Sequence, residues 1–356
     1  IGLNQLHPDG TLKLDPSGVP IPTYDQKTIT EVAKVFTGWA FASDTTNVNN
    51  FRGAAANYLA PMVLFPTFHE DGPKTIFNGI QIPANQGGEK DLKDMLDALV
   101  NHANTGPFIS RQLIQRLVTS NPSPGYVYRV AQAFADDGTG TRGNLGAVVH
   151  AILTDYEARS AAVAATASFG KLKEPLLRAT ALLRSLEGAS NLGRYANAPF
   201  HTAINTENTL GQAPLHAPTV SNFFEPNFVH PGTLAASGLY APEYQILNDT
   251  TAISLPNQLW NFIYANRSTT NTIEATVGIP LDRLLPLART PAALVNEANL
   301  LLAAGSLPKA VTDRFVTALT AMPIGTGATF TTANDIERVR SALYLTISVP
   351  QGAIQK

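Results

Sequence analysis

Cysteine is absent from this chain of 356 residues. Its absence excludes disulfide bridges, thiolate metal sites and a cysteine nucleophile. Charged side chains are also scarce, at 15% of residues, where about 25% is usual for a soluble domain. The 25 basic and 27 acidic residues leave no positive excess to follow a phosphate backbone, which argues against nucleic acid as a partner.

Long apolar runs are missing as well. The longest, around 161–169 and 300–304, are shorter than the roughly 18 residues that a membrane helix needs. The sequence therefore predicts no transmembrane segment. It also lacks the Gly-x-Ser-x-Gly elbow, the Walker loop, the Rossmann fingerprint and the His-Glu-x-x-His helix. Their absence removes the enzyme classes most readily recognised from sequence, and no cofactor is identified.

Helical periodicity is what the chain has in abundance. Apolar residues recur at helical spacing, while the alternation typical of strands is scarce. This pattern predicts an all-α, multi-helix globular domain with long ordered loops and little or no sheet. The predicted helices cover residues 25–37, 89–102, 107–118, 125–135, 144–153, 171–186, 256–266, 291–304, 308–321 and 333–347.

One long interruption, rich in proline, asparagine and aromatic residues, breaks the helical pattern at 197–248. The chain is treated as one helical unit, 1–356, with a possible subdivision into a helical core 1–190, a long loop 191–250 and C-terminal helices 251–356. The loop is too long for an ordinary connection, so it is predicted to be an ordered functional loop or a wrapping arm. Its candidate interaction residues are Asn222, Phe223, Phe224 and Glu225.

The densest group of polar side chains is His69, Glu70, Asp71 and Lys74. The Gly-Pro pair at 72–73 prevents a regular helix there, so these residues are predicted to lie in a turn. One interpretation is a general acid/base or hard-metal site, with His69 as base or ligand and Glu70 or Asp71 orienting it. The alternative is an ordered turn in which Asp71 accepts backbone N–H bonds and Lys74 pairs with a carboxylate.

A second polar loop, 136–144, alternates oxygen-bearing side chains with glycines and superficially suggests calcium. It lacks the Asp-x-Asp-x-Asp-Gly spacing and the closing glutamate of a calcium loop. Helix capping by Asn144, with a buried Arg142 paired to a carboxylate, is the preferred interpretation.

Two further sets of residues are weaker candidates. Lys171, Glu174 and Arg178 share one face of the predicted helix 171–186, where ion pairing is favoured over catalysis. Three histidines of the long loop could converge on a metal, although no spacing rule supports this: His201, His216 and His230.

Five blocks in order along the chain resemble DUF1800, a large bacterial family of unknown function. They are Pro22-Thr23-Tyr24-Asp25-Gln26 with Phe36-Thr37-Gly38-Trp39, the stretch 69–79, the stretch 137–159, Gly170-Lys171-Leu172-Lys173-Glu174-Pro175, and the stretch 210–226. Two positions depart from the family pattern, because Glu70 and Asn144 stand where aspartate is usual.

The family resemblance also implies a precursor, a cellular location and a partner, none of which the residues alone indicate. It implies that the chain is the C-terminal portion of a longer precursor, whose N-terminal helical portion is a partner. It also implies an extracytoplasmic location, whether periplasmic, cell-surface or secreted, and an exported protein partner.

Two functional hypotheses remain open at this stage. The first is an exported structural or interaction protein that binds a protein partner or a glycan through the loop 201–248. The second is an exported hydrolase-type enzyme centred on His69, Glu70, Asp71 and Lys74. An enzyme requires His69 to line a cleft with another titratable group, whereas an interaction protein allows the turn to be buried and ion-paired.

Overall fold

The computed structural model describes residues 1–189, 210–220, 222–264 and 278–356. Within these residues the chain is mostly helical and its strands are two residues long, which confirms the predicted fold class. No helix in the described ranges has the length and apolarity to cross a membrane. The chain forms two compact units: unit 1 comprises Ile1–Leu117 and Pro122–Val163, and unit 2 comprises Val118–Asn121 and Ala164–Lys356. The three-part subdivision stays a prediction.

The five longer helices of unit 1 match the predicted positions closely, whereas its four-residue helices were not predicted. In chain order the helices are α1 Gln26–Val35, α2 Val48–Phe51, α3 Gly88–Asn101, α4 Thr105–Leu117, α5 Pro124–Ala135, α6 Leu145–Thr154 and α7 Tyr156–Arg159, followed at the unit boundary by α8 Ala161–Ala164. Helix α1 begins where Asp25 accepts a hydrogen bond from the Thr28 amide at 2.7 Å, and Asn144 caps α6 in the same way. These caps satisfy backbone N–H groups that lack a partner in the first turn.

Two short antiparallel pairs position the loops of unit 1. Strand β1 Trp39–Ala40 pairs with β2 Val63–Leu64, and β3 Lys74–Thr75 pairs with β4 Gln81–Ile82. Strand β3 and helix α3 both pack against α1, around a core that includes Val35, Ile82 and Met95. The segment carrying His69 is therefore fixed between β2 and β3.

Unit 2 is built on a larger helical core. Its helices are α9 Pro175–Ser185, α10 Thr233–Ala236, α11 Asp249–Tyr264, α12 Pro291–Ala303, α13 Lys309–Ala321, α14 Ala333–Ser348 and α15 Pro350–Ala353. Helix α14 packs against α11, α12 and α13, and buries Val339, Leu343 and Ile347. Strand β5 Lys171–Leu172 pairs with β6 Ile354–Gln355.

Two predicted helix starts are wrong. The helix predicted at 171–186 begins only at Pro175, because proline disfavours a helical conformation in the residue before it and removes a backbone N–H. Residues 171–172 instead pair with β6 as a strand. The helix predicted from Pro256 begins at Asp249 and runs through that proline. Burial of Leu255 and Leu259 offsets the proline cost of about 3 kcal/mol.

Candidate functional site

The turn that carries His69 is shaped by a close approach of two backbone segments. His69 ends a short 3₁₀ helix, Pro66–Phe68, and lies against Gly38. A Cβ atom on Gly38 would lie 2.9 Å from the Phe65 carbonyl oxygen and 3.0 Å from the His69 amide nitrogen. Gly38 also has φ of +79°, which glycine adopts without strain. Glycine at position 38 is therefore required for this approach.

Three side chains from separate elements form one buried polar cluster, which we call the His69–Asp91–Lys74 cluster. His69 Nε2 lies 3.1 Å from Asp91 Oδ2, and Lys74 Nζ lies 2.5 Å from the same oxygen. The side chains of His69, Lys74 and Asp91 are 1%, 0% and 2% exposed. The cluster is thus sealed from solvent.

Lys74 uses its whole hydrogen-bonding capacity in this cluster. Its ammonium donates to Asp91, to the Glu70 carbonyl oxygen at 2.5 Å and to the Gly72 carbonyl oxygen at 3.0 Å. An ammonium has three N–H donors. All three are therefore directed at the carboxylate and at the backbone of the turn.

The surroundings of Asp91 favour its ionised form. Burial by itself would raise the pKa of Asp91. The Lys74 ammonium and the His69 ring, which both bond to its Oδ2, outweigh burial and hold that pKa below its ordinary value of 3.8. Asp91 is therefore a carboxylate at neutral pH, and its two oxygens act only as hydrogen-bond acceptors.

Both ring nitrogens of His69 are engaged by groups of the protein itself. Its Nδ1 lies 2.9 Å from the Thr37 carbonyl oxygen and 3.4 Å from the Thr37 hydroxyl, and its Nε2 faces the Asp91 carboxylate. Neither ring nitrogen is therefore presented to a substrate or to a metal ion.

One oxygen of the cluster stands apart. Asp91 Oδ1 is buried and has no hydrogen-bond partner within the described ranges. The nearby Gln86 side chain donates instead to Asp94 Oδ2 at 2.9 Å. The carboxylate of Asp91 is thus held through Oδ2 alone.

The four residues singled out from the sequence separate into two pairs. His69 and Lys74 come together, whereas Glu70 and Asp71 are exposed. Glu70 Oε1 accepts a hydrogen bond from the Gly72 amide at 3.2 Å, and the Asp71 backbone carbonyl accepts one from the Asn85 amide at 2.8 Å. Neither of the two exposed carboxylates orients His69.

Sequence reasoning missed the two groups that do orient His69, the Asp91 carboxylate and the Thr37 carbonyl. A signal for Asp91 was present, because Gly88, Asp91 and Met95 lie at helical spacing and all three are buried on one face of α3. An acidic residue on the core-facing side of an amphipathic helix needs a buried partner of opposite charge. Lys74 is that partner.

A comparison with protein families identifies the family of this chain. The family model described as "Protein of unknown function (DUF1800)" matches residues 5–351, nearly the whole chain. The chain belongs to the DUF1800 family. No curated protein and no solved structure matches it.

The second polar loop of this DUF1800 chain is organised by its own hydrogen bonds. Asp136 Oδ1 accepts from the amides of Gly138 and Gly140, and Asn144 Nδ2 donates to Asp137 Oδ2 at 2.8 Å. Hydrogen bonds from the side chains of Thr139 and Asn144 hold the pKa of Asp137 well below its ordinary value. Asn144 caps α6, as the preferred interpretation required.

The predicted role of Arg142 is wrong. Arg142 is half-buried and donates to the carbonyl oxygens of Val100 and His102, at 2.8 and 3.2 Å, instead of pairing with a carboxylate. These carbonyls belong to the C-terminal end of α3, where cations are favoured and backbone acceptors are unsatisfied. Across the described ranges, no group of three or more His, Asp or Glu side chains could hold a metal ion.

Lys171, Glu174 and Arg178 do not share a helix face, because Lys171 lies in β5 and Glu174 precedes α9. Lys171 forms a buried ion pair with Glu243 at 2.9 Å, and both side chains are 1% exposed. Glu174 Oε2 accepts from the Gln212 amide at 2.6 Å, and Arg178 donates to the Ile347 carbonyl.

The candidate interaction residues lie in an ordered part of the long loop. Phe224 is buried at 2% exposure, Phe223 is half-buried, and Asn222 and Glu225 are exposed. The Glu225 amide donates to Gln245 Oε1 at 2.7 Å, which ties this turn to the following 3₁₀ helix.

The loop histidines are placed differently from one another. His216 is exposed, and the ring of His230 lies 5.3 Å from that of Tyr244. His201 lies outside the described residues.

Proposed function

We propose that this DUF1800 chain is an exported interaction protein that binds a protein partner or a glycan through the turn around Asn222 and Glu225. In this proposal the His69–Asp91–Lys74 cluster is a structural brace. The observation that carries the proposal is the hydrogen bonding of the cluster. Both nitrogens of His69 and all three donors of Lys74 are directed at groups of the protein itself.

The alternative, a hydrolase-type enzyme with a His/carboxylate site at 69–74, would need a free lone pair on His69. Its Nε2 faces Asp91 Oδ2 instead, and the ring is 1% exposed. Freeing the ring would break its buried hydrogen bond to Asp91, and a buried hydrogen-bonding group left unsatisfied costs about 1–3 kcal/mol. This cost supports a structural role over general base catalysis.

The long loop of unit 2 has features that suit binding. Buried Phe224 anchors the turn, while Asn222 and Glu225 are presented to solvent on a backbone held by hydrogen bonds. Leu215 and Val220, just before the turn, are fully exposed apolar side chains. Polar groups beside exposed apolar side chains, on a backbone fixed in advance, reduce the entropy lost on binding.

The proposed export has a compositional basis. The chain has no cysteine, and charged side chains make up only 15% of its residues, so uncharged polar groups supply much of its surface. A surface rich in uncharged polar groups is common outside the cytosol, whereas a chain without cysteine is compatible with any redox compartment. The family resemblance supports the same location.

A binding experiment tests the proposal. The purified chain is applied to a glycan array and is cross-linked to exported proteins, with partners identified by mass spectrometry. Glu225→Lys is expected to lose the identified partner, with affinity lowered about tenfold or more. Asp313→Lys is the matched control, because Asp313 is an exposed acid on α13 and the net charge changes equally.

Two results would contradict the proposal. The first is binding that Glu225→Lys and Asp313→Lys leave equally intact. The second is hydrolysis of p-nitrophenyl esters or glycosides by the wild-type chain that His69→Asn abolishes while the variant stays folded. The second result would establish the enzyme alternative.

A further inference from the structure

Unit 2 contains a cavity next to its buried ion pair. The cavity has a volume of about 230 Å³ and is partly open to solvent. Its wall includes Lys171 and Glu243, the aromatic rings of Phe169, Tyr240 and Tyr244, and the side chain of Leu234. Both strand β5 and the 3₁₀ helix Pro242–Ile246 contribute to this wall.

The carboxylate of Glu243 has one oxygen satisfied and one unsatisfied. Oε1 pairs with the Lys171 ammonium at 2.9 Å, whereas Oε2 is buried and has no hydrogen-bond partner among the described residues. A buried carboxylate oxygen without a donor is unfavourable, so a donor brought to this wall gains a strong hydrogen bond. Glu243 lines the cavity, so a molecule bound there can supply that donor.

The rest of the wall limits the chemistry of a ligand. The Asn121 side chain cannot be the main recognition group, since its Oδ1 and Nδ2 are bonded to the Tyr240 backbone at 2.8 and 2.9 Å. Three of the lining residues carry aromatic rings. The faces of aromatic rings suit the C–H groups of a small ring, while polar atoms at the edge fix its orientation.

The charges in the cavity wall further restrict which ligands can bind. Lys171 and Glu243 form a neutral pair and Lys356 adds an ammonium to the wall, so a cationic ligand meets two ammonium groups and an anionic ligand meets Glu243 Oε2. A neutral hydroxyl group donates to Oε2 without either penalty. A cavity of about 230 Å³ is large enough to hold one small ring.

We propose that this cavity binds a neutral polyhydroxylated molecule of monosaccharide size, with one hydroxyl group donating to Glu243 Oε2. The inference deepens the binding role proposed above and rests on it, but it concerns this cavity and not the turn around Asn222. It assigns the buried ion pair a second role, since Lys171 holds the carboxylate in place for the ligand.

The test uses the full chain and four defined probes. Methyl β-D-glucopyranoside and myo-inositol are neutral, whereas glucosamine carries an ammonium group and gluconate a carboxylate. Binding is measured by isothermal titration and by saturation-transfer NMR. At least one neutral probe is expected to bind with a dissociation constant of about 1 mM or tighter, and both charged probes about tenfold more weakly or worse.

Two variants and a control locate the site. Glu243→Gln replaces an acceptor oxygen by an amide and is expected to weaken the neutral probe about tenfold or more. Leu234→Trp enlarges a side chain of the cavity wall, keeps both residues of the ion pair and is expected to abolish binding. Ile253→Trp is the matched control, because Ile253 is 70% exposed on α11 and does not line the cavity.

Each outcome of the binding experiments either supports or overturns the proposed cavity site. Binding that is lost in Leu234→Trp and kept in Ile253→Trp supports the proposal, even if Glu243→Gln fails to fold. No binding of either neutral probe at concentrations up to about 50 mM, or binding unchanged in Leu234→Trp, overturns it. If the probes fail while Glu225→Lys still loses its partner, the cavity proposal falls and the interaction role stands.

Discussion

Replacing Asp91 by asparagine should destabilise unit 1 severely. The substitution keeps the shape of the side chain but removes the negative charge that faces Lys74 at 2.5 Å and His69 at 3.1 Å. The Lys74 side chain is 0% exposed, so its ammonium would be left buried without a counter-charge. Loss of one partner from a buried pair costs about 3–5 kcal/mol, and we expect Asp91→Asn to fall in that range.

Urea unfolding followed by tryptophan fluorescence measures this effect. The chain has two tryptophans, Trp39 in unit 1 and Trp260 in unit 2. In a Trp260→Phe background Trp39 reports on unit 1 alone. With an m-value of about 2 kcal/mol per M urea, the midpoint for Asp91→Asn should fall by about 2 M.

Asp97→Asn provides the control on the same helix. Asp97 pairs with Lys93 at 2.5 Å, but both side chains are more than half exposed, at 56% and 68%. Exposed pairs contribute about 0–1 kcal/mol, so the midpoint should fall by no more than about 0.5 M. Equally small shifts of the urea midpoint for Asp91→Asn and Asp97→Asn would refute the structural role of the His69–Asp91–Lys74 cluster.

The pH dependence gives an independent check. The pKa of folded Asp91 lies below its ordinary value of 3.8, so its ionisation stabilises the folded chain above that pH. The contribution is lost as the pH falls through the lowered pKa. Unit 1 of the wild type should therefore lose stability below about pH 4 more steeply than Asp91→Asn does. Parallel stability curves in this range would contradict the assigned ion pair.

Three further substitutions test local features of unit 1. Tyr126→Phe removes a buried hydroxyl that donates to the Ile152 carbonyl at 2.6 Å, and it should lower the free energy of unfolding in urea by about 1–3 kcal/mol. Tyr156→Phe is its control, because the Tyr156 ring is exposed, and it should cost less than about 0.5 kcal/mol. Gly38→Ala should be clearly more destabilising than Gly53→Ala in thermal unfolding, because both positions have positive φ but only Gly38 faces backbone within 3.1 Å. Asn144→Ala should cost about 1 kcal/mol through loss of the α6 cap, measured by helical circular dichroism in urea, and an unchanged midpoint would remove that role.

The sequence predicts helices well where their signals are local. Asp25 and Asn144 cap the helices that follow them, and their side chains bond to amides only two or three residues away. The strand that begins at Lys171, where a helix had been predicted, could not be recognised from such local signals. Its strand partner is Gln355, at the far end of the chain, and pairing at such a separation leaves no periodic pattern in either segment.

In the candidate site, too, neighbouring residues could be predicted from the sequence and a distant partner could not. His69 and Lys74 were recognised because they stand close together between turn residues, and they do meet in space. Their common partner, Asp91, comes from another element, and the assumption that Glu70 or Asp71 would fill its place followed sequence proximity. Buried ion pairs join residues by burial and charge, and sequence distance does not decide the partner.

The position of Glu70 offers a last prediction. The resemblance to the family pattern implies an aspartate where this chain has Glu70, which raises the question of what the side chain contributes. Lys74 takes the main-chain oxygen of Glu70, and that oxygen is present whatever the side chain. The carboxylate itself is exposed and accepts one hydrogen bond, from the Gly72 amide at 3.2 Å.

Glu70→Asp and Glu70→Ala should therefore change the stability of unit 1 by no more than about 1 kcal/mol. Lys74→Met, which breaks the buried pair at the other end of the same turn, should cost about 3–5 kcal/mol. Urea unfolding in the Trp260→Phe background compares the three variants directly. A loss for Glu70→Ala as large as that for Lys74→Met would mean that the carboxylate supports the turn. The small loss expected here would mean that the family motif at this position specifies backbone geometry, and that a change from aspartate to glutamate leaves it intact.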